Sequence, residues 1–325
     1  MTARVTHDAG DAVAALRGGG LVALPTETVY GLAGDARDPA AVARIFAAKG
    51  RPAHHPVIVH LPDTDSLDRW ALAVPTWARA LAEALWPGPL TLVVARAPGV
   101  LDGVTGGQPT VGLRVPAHPL TQEVLRQFGE GLAAPSANRY GHVSPTTVEH
   151  VLAELGDVLD ESRDVILDGG RCPVGVESTI IGAWDDTPRL LRAGAITAEQ
   201  VAELTGLDVS RVDGGVRAPG TTVAHYAPSA QVIPVEADAL PDVVIDVVGP
   251  FGLIALSSVS VPDVGHVRLA APIDASEYAF ALYAALRAAD DAGLKVVVAV
   301  LPPNTGVGHA VRDRLLRAAV PGVRP

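Results

Sequence analysis

Cysteine is nearly absent from this chain: Cys172 is the one thiol in 325 residues. A disulfide framework and a cysteine-based zinc site are therefore excluded, and a reducing, cytoplasmic setting is expected. Lysine is almost as scarce. Of 25 basic residues only Lys49 and Lys295 are lysine, places where a compact ammonium stands and not a guanidinium fork. No apolar run is long enough for a bilayer span. The longest tract, 243–256, is broken by Asp246, Gly249 and Pro250 and reads as two core strands. The start, MTARVTHDAG, has no basic stretch followed by an apolar one, so no secretory signal is expected. GxxxxGK[ST], HExxH and GxSxG are all missing, which removes a P-loop, a zincin site and a nucleophile elbow. Ser136 has no histidine near it in sequence, so nothing supports a serine hydrolase. The net charge of −11 argues against holding a phosphate backbone over a wide surface. It leaves room for a local basic pocket.

What is present points to two α/β domains. The length exceeds one typical domain, and 48% hydrophobic residues supply ample core. Residues 21–24 are an apolar run with the pattern of a buried strand, stopped by Pro25. Thr26, Glu27 and Thr28 then set two hydroxyls and a carboxylate beyond the strand's end, where open α/β sheets bind ligands. A helix over 11–17 precedes that strand. Asp38 as N-cap and Pro39 at the first position open a helix over 40–48, and Gly50 fits its stop. Lys49 and Arg51 flank Gly50. They read either as cations favouring a helix C-terminus or as a pair of anion-binding groups.

Further strands are expected at 57–61 (carrying His60), 90–95, 111–115, 132–134, 165–167 and 176–181. Helices are expected at 75–86 and 119–128, with Ser144 capping the next one and Pro145 at its first position. Arg114 lies inside an apolar strand, which is costly unless an anion or carboxylate pairs with it. Thr197-Ala-Glu-Gln200 matches a capping box. Residues 209–228 are charged, Gly/Pro-rich and aperiodic, and read as a linker. Beyond it strands at 231–235, 253–257 and 295–301 alternate with helices at 276–292 and 309–319, a small α/β unit. Gly306-Val-Gly308 has Val311 where a dinucleotide fingerprint needs Gly or Ala, so it reads as packing.

The polar residues at strand ends and loops of the first domain form a set. They are Thr28, Lys49, Arg51, His60, Thr110, Arg114, Ser136, Asn138, Ser144, Ser178 and Arg192. Cations and hydroxyls dominate and carboxylates are few, which suits a polyanion such as a nucleoside triphosphate.

PTETVYGL at 25–32, Lys49-Gly-Arg51, Ser136-Ala-Asn138, GVESTI at 175–180 and LLRAG at 190–194 resemble the signatures of the YrdC-like threonylcarbamoyl-AMP synthases. Pro219-Gly220, His225-Tyr226-Ala-Pro228 and the C-terminal part resemble the two-domain, long form. The resemblance covers essentially the whole chain. It implies a twisted mixed α/β sheet with a basic cavity over 1–208, a linker or lid over 209–228, and a smaller Rossmann-like α/β domain over 229–325. It implies synthesis of L-threonylcarbamoyladenylate from L-threonine, bicarbonate and ATP, with pyrophosphate released and Mg²⁺ arriving with ATP. The product would serve N6-threonylcarbamoyladenosine formation at position 37 of tRNA through a downstream tRNA threonylcarbamoyltransferase. Direct tRNA binding is expected to be slight.

Carried over by position, Thr28, His60, Arg114, Ala134 (through its backbone) and Ser178 would hold threonine. Lys49, Arg51, His55, Thr110, Ser136, Asn138, Ser144 and Arg192 would hold ATP, with Lys49, Arg51, Ser136 and Asn138 nearest the chemistry. Two departures stand out. His54-His55 replaces the Asp-Asn usual before the proline of the PLIVH stretch, and Val223 stands where the linker usually has a tyrosine or similar group.

Two rival readings are an RNA-binding protein and a carbamoyl-transfer enzyme of hydrogenase maturation. The acidic charge and the lack of an aromatic-basic pattern oppose the first. The length and the lack of cysteines oppose the second.

Overall fold

The computed structural model describes residues 3–211, 216–220, 225–262 and 265–320. Val223, one of the two departures noted above, lies outside them. The chain divides into two compact units. The first is Met1–Tyr140, Pro145–Pro173 and Glu177–Thr221; the second is Gly141–Ser144, Val174–Val176 and Thr222–Pro325.

In chain order the first unit carries β1 (Arg4–Thr6), α1 (Ala9–Arg17), β2 (Val22–Leu24), β3 (Gly31–Asp35), α2 (Pro39–Lys49), β4 (Ile58–His60), β5 (Ala71–Ala73), α3 (Thr76–Leu85), β6 (Leu90–Arg96), α4 (Asp102–Thr105), β7 (Thr110–Arg114), α5 (Pro119–Phe128), β8 (Leu132–Ala133), α6 (Val148–Leu155), β9 (Val165–Leu167), β10 (Thr179–Gly182), β11 (Arg189–Arg192), α7 (Ala198–Thr205) and β12 (Ser210–Arg211). Its strands form one mixed sheet in the order β1-β9-β2-β3-β8-β4-β7-β6-β10-β11-β12, with β5 on β6. The central strands are buried on both faces. Val22 and Leu24 pack with Leu16 of α1 and Leu125 of α5, whereas Ala23 joins the core holding Ile45 of α2, Leu81 of α3 and Val151 of α6. A strand covered by helices on both sides needs apolar residues at every position, which is why 21–24 reads as an unbroken run.

Local signals act as their chemistry dictates. Asp38 Oδ1 accepts from Ala40 N at 2.8 Å, and Gly50 closes α2 in the left-handed conformation at φ 61°. Thr197 and Gln200 form both halves of the capping box.

Two expectations need correction. Ser144 does not cap α6: Thr147 does, its side chain accepting from His150 N at 3.4 Å. The Pro145 carbonyl instead accepts from Tyr30 N at 2.9 Å, which draws that stretch out as extended chain. The tract 243–256 is not two strands. Leu240–Asp246 is a helix, and Gly252–Ile254 is the strand. Leu240, Val243, Val244 and Val247 all reach one core, a three-four-seven spacing that belongs to a helix face.

The second unit holds β13 (Gln231–Val235), α8 (Leu240–Asp246), β14 (Gly252–Ile254), β15 (Val267–Ala270), α9 (Ala275–Asp291), β16 (Val296–Val300) and α10 (Gly308–Ala318). Its sheet, β13-β16-β14-β15, is parallel throughout. This is the smaller α/β fold expected there. A Cβ on Gly308 would come within 2.1 Å of the Pro303 carbonyl oxygen, so that glycine serves close packing. No helix among the described residues is long and apolar enough to cross a membrane.

Candidate active site

The loop after β2 is a polar knot. Thr26 Oγ1 donates to the Val29 carbonyl at 2.6 Å and accepts from the amides of Thr28 and Val29 at 3.1 Å. The Thr26 proton is thereby spent, so in the 2.8 Å pair of hydroxyls Thr28 donates to Thr26. Thr28 Oγ1 also accepts from Arg114 Nη1 at 3.0 Å. Tyr30 anchors the far end of the motif through its hydroxyl, which donates to the Gly170 carbonyl at 2.8 Å. Leu32 N donates to the Pro135 carbonyl at 2.7 Å and Ala137 N to the Tyr30 carbonyl at 2.8 Å. The PTETVYGL stretch is therefore stitched to Pro135-Ser136-Ala137.

Arg114, at the end of β7, is buried and placed by three anchors. Nε donates to the Gly88 carbonyl at 3.2 Å, Nη1 to Thr28, and Nη2 lies 2.6 Å from Glu27 Oε1. The carboxylate that a buried arginine demands is thus Glu27, a residue left out of the set drawn from sequence. His60 on β4 is the register partner of Arg114, so the two side chains share a face. Burial, aided by the Arg114 charge, holds the imidazole well below its usual pKa and keeps it neutral. Its Nδ1 is buried without a hydrogen-bond partner. Thr110 sits four residues before Arg114 on the same face of β7 and is also buried. Ala134 N is occupied by the Ile58 carbonyl at 2.9 Å, which leaves its carbonyl as the backbone group for a ligand.

A second cluster gathers at the C-terminus of α2. Lys49 Nζ donates to the Ser136 carbonyl at 2.6 Å and to the Asn138 carbonyl. Burial, with the neighbouring Arg51 charge, holds the lysine well below its usual pKa, and Glu154 opposes that shift. The left-handed Gly50 turns the chain so that Arg51 points elsewhere. Its guanidinium donates to the Pro56 carbonyl at 2.8 Å and lies over the Tyr140 ring at 5.7 Å. Tyr140 also meets His55, hydroxyl to Nδ1 at 3.3 Å. His55 is pushed down to about 4, first by burial and then by Arg51.

A third cluster joins Ser178 and Arg192. Arg192 donates to the Ser178 carbonyl from Nε at 3.1 Å and from Nη2 at 3.0 Å. Ser178 Oγ pairs with Thr91 Oγ1 at 2.8 Å. Gly194 of the LLRAG motif presses on this turn: a Cβ there would lie 2.3 Å from Thr179 N. Arg192 Nη1 donates to the Pro219 carbonyl at 2.9 Å.

Twelve of the thirteen residues singled out from sequence thus lie in the first unit; Ser144 is buried in the second. Thr28, His60 and Arg114 meet directly or through paired strands, as do Lys49, Ser136 and Asn138, and Ser178 and Arg192. Tyr140 and Thr91 were missed. Glu27 was read as a carboxylate at the strand's end but not paired with Arg114, although a buried strand arginine implies a carboxylate. The groups suit binding and charge neutralisation of a small anion-bearing ligand. Among the described residues no three His, Cys, Asp or Glu side chains are grouped to hold a metal ion.

Comparison with known proteins gives a consistent set of likenesses. Residues 14–194 match the Sua5, YciO and YrdC family model, described as "Telomere recombination", and residues 196–320 match "Threonylcarbamoyl-AMP synthase, C-terminal domain". A threonylcarbamoyl-AMP synthase of Pyrococcus abyssi is 38% identical over 94% of this chain and 92% of its own. One from Bacillus subtilis is 38% identical over 95% of this chain and 92% of its own. The crystal structure of P. abyssi Sua5 complexed with L-threonine matches with a TM-score of 0.86 and 35% identity, covering 98% of each chain.

Proposed function

The chain belongs to the two-domain threonylcarbamoyl-AMP synthase family, and from that membership we propose that it joins L-threonine, bicarbonate and ATP into L-threonylcarbamoyladenylate, releasing pyrophosphate. The observation that carries this is the near-complete match to a structure solved with L-threonine. The reaction is a nucleotidyl transfer.

The chemistry asks little covalent work of the protein. The threonine ammonium and bicarbonate give an N-carboxylate, water and a proton. A carboxylate oxygen then attacks the α-phosphorus of ATP, and the bond to pyrophosphate breaks. What this chain must supply is positioning, charge neutralisation and shelter from water. Arg114, held by Thr28 through Nη1, offers donors for the amino acid's carboxylate. His60, neutral and with Nδ1 open, offers an acceptor that does not repel the ammonium. Lys49, Arg51 and Arg192 offset phosphate charge, and Ser136 and Asn138 line the same stretch. Mg²⁺ fits as a counter-ion carried in with ATP, since the donor set is cations and hydroxyls. We assign His55, Thr110 and Ser144 to the ATP side on position in the motifs. We also propose that residues 209–228, of which 212–215 and 221–224 lie outside the described residues, gate turnover, and that the product passes to a tRNA threonylcarbamoyltransferase in the cytoplasm. The lone cysteine, buried Cys172, suits that compartment.

The test is pyrophosphate release by the purified protein with ATP and Mg²⁺. Release that requires both L-threonine and bicarbonate is expected. Release indifferent to threonine would overturn the reading. Loss of most turnover on deleting residues 209–325 would support the gating role, and full turnover would end it.

A further inference from the structure

We infer that Glu27 is a positioning and specificity-determining residue: acting through Arg114, it holds the amino-acid site at no net charge, so that a zwitterion is accepted and an anion is refused. The inference rests on the threonine reading above.

Three observations carry it. First, one oxygen of the Glu27 carboxylate is tied to the backbone. Its Oε2 accepts from Ala117 N at 2.9 Å, so only Oε1 is left to face Arg114, at 2.6 Å. A carboxylate held this way orients and balances a guanidinium; it does not swing out to grip a substrate. Second, the pair is buried, with side chains 11% exposed for Glu27 and 4% for Arg114, so each charge is poorly screened and the balance between them is felt by a ligand. Glu27 Oε1 and Arg114 Nη2 are close but not aligned as a hydrogen bond, so both keep bonding capacity unspent. Third, Thr28 and His60, the two groups beside Arg114, add no charge. Thr28 touches Arg114 through its hydroxyl, and His60 beside it is neutral. One cation, one anion and neutral groups match an ammonium-carboxylate zwitterion. Without Glu27 the same site carries a lone buried cation and favours an anion.

The probes are L-threonine and 2,3-dihydroxybutyrate of the same configuration, in which a hydroxyl replaces the ammonium. Their dissociation constants are measured by calorimetry on the full chain, for wild type, Glu27→Gln and Glu27→Asp. Glu27→Gln should shift the ratio of the two constants toward the anion by about tenfold or more. Glu27→Asp, which keeps the charge, should leave that ratio near wild type even where both ligands weaken. A loss of packing alone would weaken both ligands together and leave the ratio unmoved in both variants. An unchanged ratio in Glu27→Gln, or equal shifts in Gln and Asp, overturns the inference.

Should Glu27→Gln fail to fold, the Glu27→Gln/Arg114→Gln double variant removes both buried charges and leaves neither unpaired. Arg114→Gln alone leaves a lone buried anion and should shift the ratio toward the ammonium-bearing ligand, whereas the double variant should bring it back toward wild type; equal ratios in the two overturn the inference. Wild type that binds no threonine would sink the proposed function and this inference together. Wild type that binds threonine with an unmoved ratio sinks only the inference.

Discussion

Lys49 donates its ammonium to the main-chain carbonyl of Ser136 at 2.6 Å, and the same nitrogen reaches the Asn138 carbonyl. One side chain therefore ties the end of α2 to the Ser-Ala-Asn turn, and two motifs far apart in sequence become one site.

Lys49→Ala should accordingly act twice. Turnover should fall by about a hundredfold or more, the scale of losing one preorganised charged donor. Stability should also fall, by about 1–3 kcal/mol, because two buried carbonyls lose a charged donor. Pyrophosphate release and thermal denaturation check the two parts. Lys49→Arg should not restore turnover, since a planar fork does not fit a slot built for a point charge. Near wild-type release in either variant would remove Lys49 from the mechanism.

Thr197→Ala offers the opposite profile. Thr197 Oγ1 accepts from Gln200 N at 3.2 Å, and Gln200 Oε1 accepts from Thr197 N at 2.9 Å. Losing this cap should cost about 1 kcal/mol of stability. Neither residue touches the clusters described above, so kcat and both KM values should stay put. A change in KM would mean that α7 contributes to the site.

Arg192→Lys tests a fork. Nε and Nη2 both serve the Ser178 carbonyl, while Nη1 serves Pro219. A lysine cannot serve both ends at once. The KM for ATP should rise by about tenfold, the scale of one hydrogen bond to a charged group, with a modest fall in melting temperature. An unchanged KM for ATP would detach Arg192 from the nucleotide.

Much of this was legible in the sequence because the signals were local. Asp38, Pro39 and Gly50 state where α2 begins and ends, and Thr197 with Gln200 states the start of α7. The strand reading placed His60 and Arg114 on the elements that carry them, whereas Lys49 closes α2 one residue beyond the helix expected and Arg192 ends a strand that was not expected. What was hidden is long-range. Glu27 meets Arg114 across 87 positions of chain, and Thr91 meets Ser178 across the same distance. No periodicity encodes such pairings. The stretch 240–246 was misread because Val243, Val244 and Val247 suit a strand by propensity, and only the common core shows that they share a helix face. Ser144-Pro145 looked like a cap and first turn because nothing local reveals that Tyr30 N takes the Pro145 carbonyl.

His60 makes the acid limit of the fold predictable. Burial and the Arg114 charge depress its pKa well below the ordinary 6.5. The unfolded chain takes up a proton there as pH falls through about 6.5, whereas the folded chain does not. The stability this contributes is complete above the ordinary value and is lost as pH drops below it, at no more than about 1.4 kcal/mol per pH unit. His55, pushed down to about 4, adds a loss of the same sign between 6.5 and about 4. Thermal denaturation of wild type and His60→Asn at pH 7.5, 6 and 5 separates the two, for His55 is present in both proteins and cancels in the difference. Wild type should lose stability more steeply than the variant on acidification, so that the two curves converge toward pH 5. Parallel curves would mean that His60 takes its proton in the folded state as readily as in the unfolded one, and the neutral imidazole would have to leave the account of the site.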